Sequence, residues 1–267
     1  MNRKTILITG ATEGIGKLAA TDLASQFRDA NILIHGRNKV KLETTSDQIK
    51  KKTGNENIQT WLADFSSLKE VRKMATEILA DHDSLDILIN NAGAGFAAPR
   101  LGKDGTETRF TVNYLAPFLL THLLLPAIQK PASSRIVNVA SAGQSPIHFD
   151  DIMMDKNFDA VTAYTRSKLA IVMFTFDLAE NLKTVTANCL HPGTYLDTGM
   201  VRESGIQPLG TAQSGADALV FLAVSPELKN ITGKYFNVRT EARANAQAYD
   251  VNARRKLEKI ALQLTEL

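Results

Sequence analysis

A single cysteine, Cys189, occurs in the 267 residues, which rules out an intrachain disulfide or a multi-cysteine metal site and fits a reducing compartment. Placed in an apolar run, that thiol reads as packing. A surplus of charge is also missing, since 31 Lys and Arg stand against 28 Asp and Glu for a net charge of +3. No basic cluster interleaves with aromatics, so nucleic-acid binding is not indicated. The N-terminal MNRKTILITG is too short in its apolar part for a signal or a span. The longest apolar stretches, Leu115 to Leu125 and Leu169 to Phe176, are interrupted by Pro117, Thr121, His122 and Thr175. A cytoplasmic protein with no membrane anchor is therefore expected. No His/Cys/Asp/Glu grouping suggests a metal site, and no repeat, low-complexity tract or Pro/Gly/Ser linker divides the chain. Residues 1–267 are read as one domain.

What the chain does contain is a rhythm. Short apolar runs at about 4–9, 30–35, 58–63, 85–90, 135–140, 184–190 and 234–238 read as strands. Helical patterns lie between them near 14–27, 38–52, 67–80, 106–129, 162–182 and 211–224. Such alternation predicts an α/β fold of the doubly wound, Rossmann type, a parallel sheet of about seven strands with helices on both faces.

Chemistry begins in the first turn, where Thr9-Gly10-Ala11-Thr12-Glu13-Gly14-Ile15-Gly16 follows a strand and opens a helix. Glycines let the backbone turn tightly against a pyrophosphate, whose charge the helix N-terminus meets. The spacing is Gly-x-x-x-Gly-x-Gly, not the Gly-x-Gly-x-x-Gly dinucleotide fingerprint. At the end of the second strand, where an acid would hold a free ribose 2′-hydroxyl, the chain has His35-Gly36-Arg37-Asn38. Arginine there suits a 2′-phosphate. NADP(H) is the expected cofactor, with Lys17 and Lys41 as further nearby cations.

Further along, Tyr164 and Lys168 stand four apart on one helical face. An ammonium beside a phenol stabilises phenolate and lowers the phenol's pKa. Bringing tyrosine from about 10 two to three units nearer neutrality takes roughly 3 to 4 kcal/mol, within reach of one charge in a partly desolvated pocket. A tyrosine so tuned exchanges a proton with an alcohol or ketone.

Together these residues resemble the short-chain dehydrogenase/reductase family over nearly the whole chain. The likeness rests on TGATEGIG, Asp64 in LADFSSL, Asn90-Asn91-Ala92-Gly93, Asn113, Ser141 in RIVNVASAG, Tyr164-Thr-Arg-Ser-Lys168 and His191-Pro192-Gly193. It implies Tyr164 as general acid/base, Ser141 as the hydroxyl holding the substrate oxygen, and Lys168 as the tuner of Tyr164 and holder of the nicotinamide ribose. Asn113 would keep a water for proton relay. Asp64, with Phe65 beside it, would serve the adenine, Asn91, Ala92 and Gly93 would line the cofactor, and Pro192 and Gly193 would brace the nicotinamide. The family threonine five places after the proline is Asp197 here, and Thr198 is taken instead, with Thr194 the alternative.

Within the family the chain is similar to retinol dehydrogenase-like members, through the 22 residues between Ser141 and Tyr164 and the tail TGKYFNV with ARRKLEKIALQL. Gly199 to Gly215 matches the segment that closes over substrate. Phe96, Gln144, His148, Tyr195 and Met200 are candidate walls for a small, hydrophobic carbonyl or alcohol, while His191 reads as structural. Seven of the eight residues from Leu169 to Phe176 are apolar, and the helix after Asn113 carries leucines on several faces. That surplus predicts a homodimer or homotetramer. The expected activity is NADP(H)-dependent alcohol–carbonyl interconversion. The alternative is a cofactor-sensing protein on the same fold without turnover.

Overall fold

Strands with apolar centres and no polar alternation, such as TILI and NILIHG, bury both faces, and that is what a parallel sheet covered by helices requires. The computed structural model describes residues 3–267. Its sheet has the order β3-β2-β1-β4-β5-β6-β7-β8, with β1 (Thr5–Ile8), β2 (Asn31–Gly36), β3 (Ile58–Leu62), β4 (Ile87–Asn90), β5 (Ser134–Val139), β6 (Val185–His191), β7 (Tyr235–Asn237) and β8 (Thr240–Ala242). Every pairing is parallel except β7 with β8. Eight strands replace the expected seven. The added one, the three exposed or half-exposed residues TEA, is too short and polar to show a strand period.

Helices α1 (Gly14–Gln26), α2 (Lys39–Thr53) and α7 (Ala212–Val224) cover one face with α3 (Leu68–Asp81), α4 (Thr108–Ile128), α5 (Ala160–Asn181) and α8 (Val251–Thr265) on the other. The short α6 (Gly199–Glu203) lies in the segment before α7. Their ends obey local rules. The Asn38 side chain accepts from Lys41 N at the start of α2 and left-handed Gly54 ends it, while Asp159 and Asp250 cap α5 and α8. Each such cap contributes about 1 kcal/mol. On α3 the buried stripe is Val71, Met74, Ala75 and Ile78, spaced at helical period against the sheet.

Because β1 lies between β2 and β4, the connections after β1 and β4 leave in opposite directions and open a crevice at the strand ends. The glycine turn and the Asn91 loop border it.

Two further features differ from the sequence reading. Among the described residues α4 is long and apolar enough to cross a membrane, yet it runs through the core, with 72% of its apolar window buried. Pro117 does not break it, because a wide π turn at Thr111–Leu115 absorbs the proline near the start of the regular helix. The second is α8, which lays Ala253, Leu257 and Ala261 into the same core cluster as Tyr114, Phe118 and Phe174. Residues 169–176 are all buried within the chain. The apolar surplus from which an oligomer was inferred is thus covered by the chain itself. Buried Arg254 fastens α8 further, with Glu180 at 2.6 Å and Asp177 at 3.3 Å on α5.

Candidate functional site

Two glycines make the crevice. Gly10 has φ +64°, and a Cβ there would stand 2.7 Å from Ala92 Cα; one on Gly16 would strike the Gly10 carbonyl and the Asn91 amide. Only a bare backbone lets the turn after β1 lie this close to the loop after β4. Thr9 and Asn91 fasten the two together: Asn91 N and Ala92 N donate to Thr9 Oγ1 at 2.9 and 3.0 Å, and Asn91 Nδ2 donates to the Thr9 and Gly10 carbonyls.

Below the turn lies buried His35. Its Nδ1 accepts from Gly10 N at 3.1 Å, its Nε2 faces Ala63 O at 3.0 Å, and its ring stacks on Phe65 with centroids 4.0 Å apart. An acceptor at Nδ1 places the ring proton on Nε2, so this imidazole is neutral. Burial, opposed by the Ala63 carbonyl and Asp64, lowers its pKa to about 4. The sequence reading gave His35 no role. One polar residue at the end of the apolar run ILIH was the available signal.

Around the turn the cations sort themselves. Lys41 Nζ pairs with Glu13 at 3.0 Å and Lys17 Nζ donates to Gln48 at 2.6 Å. Arg37 is exposed and pairs with no acid among the described residues. Asn38 spends its Oδ1 on the α2 cap. Burial works against ionisation of Asp64, but the Ser66 hydrogen bonds and Lys103 outweigh it and hold the carboxyl below its usual range. Gly14 faces Thr198, whose methyl lies 3.2 Å from where a Cβ would project. Thr198, not Asp197, is therefore beside the turn, and Asp197 pairs with Arg202 at 2.7 Å. Thr194 Oγ1 bonds His191 Nε2 at 3.0 Å, a structural use of both side chains. Pro192 is buried and Gly193 has φ +139° with Leu196 packed against it.

Ser141, Tyr164 and Lys168 gather at the end of β5. Lys168 Nζ donates to Val139 O at 2.8 Å and stands 5.7 Å from the Tyr164 ring centroid. Burial lowers its pKa to about 8. Tyr164 departs from the sequence reading. Burial raises its pKa above the ordinary value, the Ser141 hydroxyl only partly offsetting this, and the ammonium is engaged with a carbonyl instead of the phenol oxygen.

Asn113 sits on the π turn with its side chain fully engaged: Oδ1 accepts from Ala94 N at 2.7 Å, and Nδ2 donates to Ala94 O at 3.1 Å and to Ser167 Oγ at 2.9 Å. Ser167 Oγ passes on to Tyr164 O at 2.7 Å. Asn113 thus ties the β4 loop to the helix bearing Tyr164. Pro117, four residues on, has no N–H for the Asn113 carbonyl, which loses its α-helical partner.

Of the candidate walls, three converge. The Phe96 ring meets Tyr164 edge-on at 4.8 Å, Met200 packs where Gly93 and Gly95 lack side chains, and Tyr195 lies close enough to raise the Tyr164 pKa. Tyr195 holds a left-handed φ of +46°, unusual for an aromatic residue. Gln144 is occupied in the scaffold, donating to Ser141 O and accepting from Asn245 N. His148 is exposed, and its carbonyl accepts from Asp151 N. Of the expected segment 199–215, residues up to 209 lie in a loop closed at its neck by a bridge between Leu196 and Gly210, whereas 212–215 belong to α7. Cys189 is buried, its thiol pushed up to about 12 by burial, consistent with packing. Among the described residues no metal-binding cluster occurs.

Comparison with known proteins agrees with this geometry. The family model for short chain dehydrogenase matches residues 4–208. Mouse retinol dehydrogenase 13 is 36% identical over 95% of this chain and 81% of its own. For bovine retinol dehydrogenase 12 the identity is 38%, over 88% and 77%. Among solved structures, a Mycobacterium paratuberculosis protein superposes with TM-score 0.80 at 26% identity, covering 98% of this chain and 93% of that one. A short chain dehydrogenase from Escherichia coli CFT073 complexed with NADPH gives TM-score 0.71 at 26% identity, over 90% and 98%.

Proposed function

The chain belongs to the short-chain dehydrogenase/reductase family, among its retinol dehydrogenase-like members, and from that footing we propose that it interconverts an alcohol and a carbonyl using NADP(H), with Tyr164 moving the proton. The single observation that carries this reading is the convergence of Ser141, Tyr164 and Lys168 beside a glycine turn that only an unsubstituted backbone can form.

The residues present fit the cofactor. Gly10, Thr12, Glu13, Gly14, Ile15 and Gly16 would bear the pyrophosphate, Asp64 and Phe65 the adenine side, Asn91, Ala92 and Gly93 the ribose, and Pro192, Gly193 and Thr198 the nicotinamide. Lys41 is paired with Glu13 and Lys17 with Gln48, whereas among the described residues the Arg37 side chain has no ion-pair or hydrogen-bond partner, so Arg37 is assigned the 2′-phosphate. That the Escherichia coli neighbour is complexed with NADPH supports this choice. When bound, NADP(H) gives or takes the hydride.

The chain's own residues supply the rest. Ser141 and Tyr164 hold the carbonyl oxygen, and the protonated phenol donates to that oxygen as negative charge builds on it. With a pKa near 8, Lys168 is charged in about a tenfold excess at pH 7, and it favours the phenolate left behind. The Asn113 carbonyl, to which Pro117 can give no α-helical hydrogen bond, is assigned the relay water, since the Asn113 side chain is fully engaged. Phe96, Met200 and Tyr195 give the oxygen site apolar walls, which suits a hydrophobic aldehyde or ketone.

NADPH oxidation followed spectrophotometrically over aldehydes, ketones and quinones tests the reading, with Tyr164→Phe as control. Turnover should fall by about 100-fold or more in the variant while NADPH still binds. Binding without turnover anywhere in the panel would replace the enzyme with a cofactor sensor.

A further inference from the structure

The first turn of α4 hides an ion pair. Glu107 and Arg109 are 2% and 1% exposed, with the carboxylate and the guanidinium 3.0 Å apart. Glu107 also caps the turn, accepting from Arg109 N at 3.1 Å and Phe110 N at 2.7 Å. Arg109 spends its remaining hydrogen bonds elsewhere, on the loop after β4. Nη2 donates to Phe96 O at 2.8 Å and Ala98 O at 2.5 Å, and Nη1 donates to Pro99 O at 3.2 Å. The guanidinium also lies 5.4 Å over the ring of Phe158, in the segment that leads into α5.

A buried ion pair seldom adds stability beyond what apolar packing of the same volume would give. What a guanidinium offers and apolar packing does not is a rigid planar fork whose donors reach several carbonyls together. Here three carbonyls within four residues are held from one side chain. One turn along the same helix face, Asn113 holds both the N–H and C=O of Ala94. Residues 94–99 are therefore gripped by α4 at Ala94, Phe96, Ala98 and Pro99, and the ring of Phe96, whose carbonyl Arg109 holds directly, abuts Tyr164.

We propose that Arg109 is a positioning residue for the carbonyl site, fixing Phe96 against Tyr164 and so setting the width and dryness of the space where the substrate oxygen is received. It touches neither substrate nor cofactor. The proposal rests on the carbonyl chemistry assigned above, and its test has arms that do not need turnover.

Arg109→Lys keeps the charge that Glu107 needs but loses the fork. Phe158→Leu keeps the fork and removes the ring beneath it, so it serves should the lysine variant fail to fold. In the ligand-free protein either variant should speed amide exchange across residues 93–99 and bring the Tyr164 titration down toward that of free tyrosine, as water enters past Phe96. With NADPH, kcat/KM for slender aldehydes should drop about tenfold, bulky ketones should lose less, and NADPH affinity should hold. Combined with Phe96→Ala, the Arg109→Lys change should add little beyond Phe96→Ala alone. Unchanged titration and exchange in folded variants would overturn the proposal, as would effects that simply add to those of Phe96→Ala. A parent protein without turnover would sink the assigned reaction and leave the titration and exchange arms to decide the role of Arg109.

Discussion

Replacing His35 with glutamine should make stability less sensitive to acid. The unfolded chain takes up a proton at this histidine near pH 6.5, whereas the folded chain, where burial dominates, holds out until about 4. Between those values the unfolded state binds more protons, so stability falls as pH falls through that window and stops falling below it. The gap corresponds to about 3 kcal/mol. Structurally the loss is concrete, because a proton on Nδ1 removes the acceptor for Gly10 N–H and puts a charge against Phe65. Glutamine can still offer an acceptor and a donor, yet it gives up the ring stack and ideal geometry, which costs about 1 kcal/mol at pH 7. Urea unfolding of both proteins from pH 7 to pH 4.5 should therefore give crossing lines, the variant weaker at neutrality and stronger at the acid end. The comparison cancels the carboxylates and the other histidines, which the two proteins share. Parallel lines across the whole range would refute the neutral, buried assignment of His35.

Arg37→Glu should weaken NADPH binding by about 10- to 100-fold, the worth of a charge-assisted pair replaced by repulsion, and leave NADH binding no weaker; calorimetric titration with both cofactors measures this. Because α8 covers the apolar faces of α4 and α5, the intact chain should sediment as a monomer at micromolar concentration, contrary to the assembly expected from composition. Leu257→Asp should release α8 at a cost of about 3 kcal/mol or more and expose an associating surface. A stable dimer of the unaltered chain with α8 still protected from exchange would show that another face assembles.

Much of the site was legible because it is local. The glycine turn, Tyr164 with Lys168, and Ser141 at a strand end are each set by residues within a few positions, and strand and helix periods gave their surroundings. The parts that were not legible depend on partners far along the chain. His35 meets Gly10 and Ala63, Gln144 meets Asn245, and Arg109 meets a loop whose conformation no period announces. The Tyr164 reading failed for a related reason: helical spacing puts Lys168 on the correct face, but which oxygen receives its ammonium is decided by the Val139 carbonyl on a separate strand. The oligomer expectation lost its basis because α8, whose buried stripe of Ala253, Leu257 and Ala261 is modest, covers surfaces that read as unpartnered.

The position of α8 has a consequence for how this enzyme comes into being. Asn113 and Tyr164 ride on two helices that both lean on residues 251–265, so while a ribosome is still short of that segment the cofactor crevice can close but the reaction centre has no firm floor. The order of assembly expected from this packing is the nucleotide crevice first and the reaction centre last. A nascent chain stalled near residue 245 should hold nucleotide without turning it over.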